Sequence, residues 1–396
     1  MTRLDRHNGP AQEPVSTGSR GVQRAPEAAA IHPSPLLDQV PWDCPGAAEI
    51  GFALPERYNA SEILFQNLTA GRSDHLAVVG PAGGRSYAQL AADAARWGHA
   101  LLSLGLNRGD RVILLLDDTP VYPAAFFGIV RAGLVPILVN VLTPPDLLQF
   151  YFRDSGAKVA LAEAAFCEQF AGVFGLGVQL RTLIIVNGGA SPAIPDVEIK
   201  QARQWLRNFP DHLAAADTHR NDMAFWMYSS GSTGNPKGIV HLQHDMAFTH
   251  LSYGRHVLKL MEGDICFSSA KIFFSYGFGN SITFPFSVGA TSLLMPGRAT
   301  AQAVTAAIAQ YRPPCSSVCQ RSTKAWSKQL RRRSPSYLRS DLPSLPAPRR
   351  GRQGVERNDG PRHRGLSRLD GDAQRLPVEY ARAKKARRGG AACAGL

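Results

Sequence analysis

Residues 223–238 read MAFWMYSSGSTGNPKG, an apolar run followed at once by a glycine-rich segment. The apolar part, residues 223–228, predicts a buried strand. Residues 228–238 hold three glycines, four aliphatic hydroxyls and Lys237. Glycines let the backbone come close to a ligand, and successive backbone N–H groups and hydroxyls can surround phosphate oxygens. The stretch therefore predicts a phosphate-binding turn at the end of a strand.

The loop differs from the Walker A pattern, which needs a Ser or Thr after its lysine. Here Lys237 is followed by Gly238. The plain alternative is a flexible Gly/Ser/Thr linker. Two features favour a binding site instead, because the segment follows a strand directly and contains an interior Pro-Lys-Gly.

Strands and helices alternate on both sides of this loop. Predicted strands cover residues 76–79, 111–116, 136–140, 159–162, 183–186, 223–228, 265–270 and 291–295. Predicted helices cover residues 88–104, 123–132, 244–257, 279–288 and 301–311, and two more begin near Asn59 and Thr143. This alternation is typical of an α/β fold with mainly parallel sheets flanked by helices.

The loop resembles the signature of the adenylate-forming (AMP-binding) enzymes, whose form is roughly (Y/F)-(T/S)-S-G-(S/T)-T-G-x-P-K-G. Every position of that form is matched by residues 228–238. Residues 270–280 (AKIFFSYGFGN) and 283–290 (TFPFSVGA) resemble the aromatic-acid motif of the benzoate-CoA ligase group. The resemblance covers about residues 50–313. It implies the large N-terminal domain of the adenylate-forming fold, in incomplete form.

The resemblance implies an aryl-CoA ligase, a carboxylate–CoA ligase of aromatic compound degradation. Such an enzyme activates an aromatic acid with ATP and Mg²⁺ to an acyl-adenylate, and CoA then takes the acyl group as a thioester. Another acyl-CoA synthetase is the alternative within the family. No metal ligand in the chain is identified.

The resemblance also implies the residues of two sites. Lys237 is the catalytic candidate. The phosphate-binding candidates are Ser229, Ser230, Gly231, Ser232, Thr233, Gly234 and Lys237, and the acyl-pocket candidates are Phe274, Ser275, Tyr276 and Gly277. We interpret Tyr276 as a pocket residue because it lies in a loop-like break. Core packing is the interpretation for Phe273, Phe284 and Phe286.

Other polar residues are interpreted without a functional role. The histidines at 241, 244, 250 and 256 fit no tight metal-ligand spacing and are predicted to lie on a helix surface. Cys315 and Cys319 have no second pair, which argues against zinc. Asp117 and Asp118 are predicted to be solvated acids in a turn.

Composition divides the chain into three parts. Residues 1–50 are predicted to be a disordered extension, residues 51–313 the partial adenylation domain, and residues 314–396 a disordered Arg-rich tail. The tail holds 16 Arg and 4 Lys against 6 acids, a balance of +14, which leaves −1 for residues 1–313 of the chain's +13. It contains no Ile, Phe or Met.

The abrupt change near residues 313–314 motivates the hypothesis of a shifted reading frame, which sequencing of the downstream DNA tests. Residues 314–396 contain no recognisable counterpart of the family's adenine and ribose contacts or of its C-terminal lysine. We therefore expect weak or no activity, and an inactive remnant is one alternative. The other is a nucleic-acid-binding basic tail, although the tail has few aromatics to stack on bases.

The remaining composition predicts a cytoplasmic protein. The longest apolar run, residues 126–142, is interrupted by Arg131 and Pro136 and is too short to span a bilayer. The N-terminus has no apolar signal core. The six cysteines are widely spread, which fits a reducing compartment better than a disulfide framework. The oligomeric state is left open.

Overall fold

The computed structural model describes residues 50–317 except 171, 174, 176, 190–193, 230–235 and 314. The strands are β1 Leu76–Val79, β2 Arg85–Ser86, β3 Arg111–Leu115, β4 Val135–Leu138, β5 Val159–Ala162, β6 Thr182–Ile185, β7 Glu198–Gln201, β8 Met223–Ser229, β9 Lys237–Leu242, β10 Ile265–Ser268, β11 Thr291–Leu293 and β12 Cys315–Ser317. The α-helices are α1 Glu62–Thr69, α2 Tyr87–Leu102, α3 Val121–Arg131, α4 Pro145–Ser155, α5 Ala202–Trp205, α6 Asp245–Thr249, α7 Ser275–Phe278, α8 Phe284–Val288 and α9 Ala301–Tyr311. Short 3₁₀ segments lie at Ala164–Phe170 and Leu206–Asn208, and π-helical segments lie at His250–Leu258 and Gly279–Thr283.

Within the described residues the strands form two sheets. One has five strands in the order β12-β10-β11-β1-β2, and the other has seven in the order β7-β6-β5-β3-β4-β8-β9. Pairing is parallel except for β1 with β2 and β8 with β9. Helix α3 connects the parallel neighbours β3 and β4, because parallel strands need a long crossover connection. The predicted α/β fold with mainly parallel sheets is therefore confirmed.

The seven-stranded sheet is buried on both faces at β3, which explains why this strand is apolar after its first residue, Arg111. Val112 and Leu114 face a core cluster that also contains residues of α2, α3 and the five-stranded sheet. Ile113 and Leu115 face a second cluster, formed with α4. Successive side chains of a strand point to opposite faces, so two packed faces require an unbroken apolar run.

Helices α2 and α3 cross at two glycines. A Cβ added at Gly128 would lie 2.3 Å from the carbonyl oxygen of Ala94, and one added at Gly98 would lie 2.9 Å from that of Gly128. The two backbones are therefore in direct contact, which brings both helices close to the sheet that carries the candidate site.

Most predicted elements are observed with ends moved by a few residues. The capping box at the start of α2 is present, with the Ser86 side chain accepting from Gln89 N–H and the Gln89 side chain from Ser86 N–H. Thr300 caps α9 through Ala303 N–H. Strands β7 and β9 were not predicted. No helix among the described residues has the length and apolar character to cross a bilayer.

One short strand lies just past the predicted boundary at residue 313. Residues 315–317 form β12, which pairs in parallel with β10 through Cys266 and Cys315. Strand β12 follows α9, so the alternation of helices and parallel strands continues for one more strand. The predicted disordered segments, residues 1–50 and the rest of the tail after β12, lie outside the described residues apart from residue 50.

Candidate functional site

The signature segment begins in β8 and ends in β9, two strands that pair in antiparallel fashion. Strands β8 and β9 pair along their length, and Ser229 stands opposite Lys237 at the end of the ladder. Both residues are exposed. The hairpin thus brings together the first and last predicted phosphate-binding residues. The intervening candidates, Ser230, Gly231, Ser232, Thr233 and Gly234, lie outside the described residues.

Helix α4 holds the end of this hairpin. The Tyr228 hydroxyl donates to Asp154 Oδ2 at 2.7 Å, and its ring stacks on Tyr151 with centroids 3.9 Å apart and planes 21° apart. Burial and the neighbouring Asp154 carboxylate raise the pKa of Tyr228 well above its ordinary value, so the phenol keeps its proton. The last turn of α4 therefore fixes the strand residue from which the loop departs.

The predicted acyl-pocket residues lie at the start of a helix. Helix α7 begins at Ser275 and continues through the π-helical segment Gly279–Thr283 into α8. The predicted helix thus begins four residues early, and the interpretation of Tyr276 as part of a loop-like break is wrong. The segment Ser-Tyr-Gly-Phe that forms α7 contains a glycine, which lowers its helix propensity. Tertiary contacts outweigh this low propensity.

Gly277 is required where α7 meets the end of β10. A Cβ at this position would lie 2.0 Å from the carbonyl oxygen of Lys271 and 2.5 Å from that of Ala270. No side chain fits there. The glycine lets the first turn of α7 rest directly on the backbone that precedes it.

An open cavity of about 50 Å³ lies beside this helix start. Phe225, Met227 and Phe278 supply apolar walls, and His241 and Ser275 supply polar atoms. Of the four predicted acyl-pocket residues, Ser275 lines the cavity. Phe274 is 52% exposed, Tyr276 is half-buried and Gly277 is buried.

Two histidines near the cavity are buried, contrary to their predicted helix-surface position. His241 and His244 are 6% and 2% exposed, and their Nδ1 atoms lie 3.2 and 3.0 Å from the two carboxylate oxygens of Asp245. Burial alone would raise the pKa of Asp245, but the two histidine hydrogen bonds outweigh it and hold the pKa well below its ordinary value. An ionised carboxylate only accepts, so both Nδ1 atoms carry hydrogen. The predicted surface position holds for His256, which is exposed, while His250 is half-buried.

Asp117 and Asp118 are also buried, at 7% and 3% exposure, so their interpretation as solvated turn acids is wrong. They follow β3 at an edge that residues after β10 and β11 cover. Lys271 Nζ donates to Asp117 Oδ1 at 2.7 Å and to the Met295 carbonyl at 2.6 Å. The second Asp117 oxygen accepts from Gly297 N–H.

Asp118 and Glu163 complete this buried network. Asp118 Oδ1 accepts from Ile272 N–H at 3.1 Å, and Glu163 Oε1 accepts from Asp117 N–H at 3.1 Å. Burial raises the pKa of Asp118 to about 7 against the opposing influence of Lys271 and the Ile272 N–H. Burial also raises the pKa of Glu163. The sequence signal was a pair of acids directly after the apolar run of residues 112–116, which favours burial of the two carboxyl groups.

The acidic residues do not form a metal site. Within the part of the chain that the structure describes, no group of three or more His, Cys, Asp or Glu side chains is arranged to hold a metal ion. We therefore assign no Mg²⁺ ligand to these residues.

The family model for AMP-binding enzymes matches residues 65–347, which is more than half of the chain. The chain belongs to the AMP-binding enzyme family. It is 37% identical over 262 residues to a benzoate–CoA ligase of Thauera aromatica, covering 66% of this chain and 48% of the relative. It is 34% identical over 257 residues to a 4-hydroxybenzoate–CoA/benzoate–CoA ligase of Rhodopseudomonas palustris, covering 65% and 46%.

Solved structures of CoA ligases also match this chain. A crystal structure of an anthranilate CoA ligase in complex with anthranoyl-AMP has a TM-score of 0.63 and 34% identity, covering 66% of this chain and 50% of that one. A benzoate CoA ligase from Burkholderia xenovorans LB400 has a TM-score of 0.58 and 32% identity, covering 65% and 50%. The chain spans about half the length of the curated relatives it matches.

Proposed function

We propose that the chain carries the ATP-phosphate site and part of the acid site of an aryl-CoA ligase. The observation that carries the proposal is the complete signature segment, set at the turn of the β8–β9 hairpin with Ser229 opposite Lys237. The similarity to ligases named for benzoate, hydroxybenzoate and anthranilate supports an aromatic acid as the substrate.

The proposed reaction has two steps. The carboxylate of the acid attacks the α-phosphorus of Mg-ATP, the bond to the bridging oxygen breaks, and pyrophosphate leaves with the bonding electrons. The thiolate of CoA then attacks the acyl carbon, and AMP leaves. Positive charge and N–H donors around the β- and γ-phosphates stabilise the leaving group in the first step. In this chain Lys237 and the residues of the loop, 229–234, would supply them.

The acid would lie next to the start of α7. Residues 274–277 would form one wall, with Phe274 and Tyr276 offering ring faces and Ser275 bordering the cavity. Flat apolar walls with a few polar groups are suited to a benzoate-like ring. Mg²⁺ would arrive with ATP, and CoA would enter for the second step.

Competitive binding of acids tests the substrate class. In the presence of Mg-ATP, we expect benzoate and 2-aminobenzoate to bind the 396-residue chain more tightly than hexanoate, measured by saturation-transfer NMR. Hexanoate matches benzoate in charge and approximate size but lacks the ring. Equal or tighter binding of hexanoate would contradict the aryl assignment and favour another acyl-CoA synthetase.

Pyrophosphate release measures the first step in the same chain. We expect weak or no release with benzoate and ATP, because residues 314–396 hold no recognisable counterpart of the family's remaining catalytic elements. Rapid, acid-dependent release would refute that expectation while leaving the family assignment in place.

A further inference from the structure

Lys271 links the acid-pocket segment to the opposite sheet. It follows β10 of the five-stranded sheet, yet its Nζ reaches Asp117 at the end of β3 in the seven-stranded sheet, at 2.7 Å. The same Nζ bonds the carbonyl of Met295, which follows β11, at 2.6 Å. One ammonium group therefore joins three chain segments, each at the carboxyl end of a parallel strand.

The residues after Lys271 are held equally firmly. The Ile272 N–H donates to Asp118, and the Ile272 side chain is 0% exposed. The Phe274 N–H donates to the Lys271 carbonyl at 3.0 Å. Gly277 packs against that same carbonyl. The segment from Lys271 to the first turn of α7 is thus held at Ile272, Phe274 and Gly277.

Charge makes Lys271 the centre of this arrangement. Asp117, Asp118 and Glu163 lie together at one buried edge. Lys271, with its side chain 15% exposed, forms an ion pair with Asp117 and acts on Asp118 and Glu163 through its charge. Removing one partner of a buried ion pair leaves an uncompensated charge. Without Lys271 the acids would repel one another and admit water, and the segment above them would lose its anchor.

We propose that Lys271 is a positioning residue that fixes residues 274–277 in the orientation needed to receive the aromatic acid. The proposal rests on the proposed function for the identity of the ligand. Lys271 touches neither the acid nor ATP in this account. It acts by clamping the start of α7 to the edge where both sheets meet.

The test compares wild type with K271M, K271R and D117N, using K158M as the matched control. Lys158 also pairs with a carboxylate of the seven-stranded sheet, Asp110, but lies at the amino end of β5. Two quantities are measured for each variant. One is hydrogen exchange of the Ile272, Phe274 and Phe278 amides, and the other is the affinity for benzoate relative to that for Mg-ATP.

We expect K271M to speed exchange at these amides and to weaken benzoate binding about tenfold, while Mg-ATP affinity stays within about twofold. K271R should recover part of the loss because it restores the charge. D117N keeps the side chain's size and should show a smaller effect in the same direction, which keeps the test decisive if K271M does not fold. K158M should change neither quantity.

Two results would overturn the proposal. One is unchanged exchange at residues 272–278 in K271M and D117N. The other is an equal loss of benzoate and Mg-ATP affinity, which would mean that Lys271 supports the fold as a whole. If wild type binds no aromatic acid at all, the proposed function fails separately, and the exchange data alone still decide whether Lys271 clamps the segment.

Discussion

Asp118 lies at the end of β3 with 3% of its surface exposed, where burial raises its pKa to about 7 from an ordinary value of 3.8. The charged or titratable groups that face it are Lys271, Asp117, Glu163 and Tyr122. Lys271 opposes the shift, and the two neighbouring acids favour it. The folded protein therefore favours the protonated form of Asp118.

The sign of the resulting pH dependence follows from linkage. Between the ordinary pKa and the raised one, the folded chain holds a proton that the unfolded chain has released. The stability that depends on this proton is full below the ordinary pKa of 3.8 and is lost as the pH rises through about 7. The Asp118 contribution thus makes the fold less stable at alkaline pH.

Asp118→Asn should remove this dependence. The amide oxygen can still accept from Ile272 N–H, but no charge forms. From about pH 5 to about pH 8, the unfolding free energy of the variant should rise relative to wild type by about 2 kcal/mol, measured by urea titration. Asp74→Asn, at an exposed position, is the control. A difference that stays constant with pH would show that Asp118 is ionised in the folded protein throughout.

Sequence patterns predicted local contacts of single residues but not their long-range contacts. The Ser86 and Thr300 caps depend on neighbours within three positions, and both were predicted. The Lys271–Asp117 pair joins positions 154 apart in the chain, and no local pattern indicates such a contact. The burial of His241 and Asp117 likewise depends on elements that arrive later in the chain.

At the scale of elements, the β8–β9 hairpin and helix α4 form the support of the signature loop. Strand β9 was not predicted because it begins with Lys237 and Gly238, which have low strand propensity. Pairing with the buried strand β8 outweighs that propensity. The stacked rings of Tyr151 and Tyr228 then tie the end of the hairpin to α4.

Tyr151→Leu should loosen the hairpin end. An aromatic pair contributes about 1 kcal/mol beyond the area it buries. If this interaction free energy is lost from the bound state of the loop, the affinity for Mg-ATP falls about fivefold. Phe209→Leu removes a comparable aromatic contact, with Trp205, in a region away from the hairpin and is the control. Equal effects of the two substitutions would show that Tyr151 has no specific connection to the loop.

At the scale of the whole molecule, the alternation of strands and helices was sufficient to predict an α/β fold with mainly parallel sheets. It was not sufficient to predict two sheets or their strand orders, since β1 and β10 belong to one sheet although all seven strands of the other sheet lie between them in the chain. Strand order depends on which helical faces pack together. The close crossing of α2 and α3 at Gly98 and Gly128 is one such contact.

The two sheets meet where their strands' carboxyl ends lie, and both candidate sites belong to that region of the chain. The signature hairpin extends from β8, and the acid-pocket segment follows β10. Ligands of open α/β sheets bind at the carboxyl ends of strands. This common placement supports one composite site in which ATP and an aromatic acid would be neighbours.

Calorimetric titration of Mg-ATP into wild type, K237A and K200A tests the central proposal most directly. Lys237 begins edge strand β9, and Lys200 lies on β7, the opposite edge of the same sheet. We expect saturable binding by wild type, about tenfold weaker binding by K237A and unchanged binding by K200A, because a charge-assisted contact to phosphate is lost only in K237A. Absence of saturable binding by wild type, or equal affinities of the two variants, would contradict a phosphate site in the signature loop.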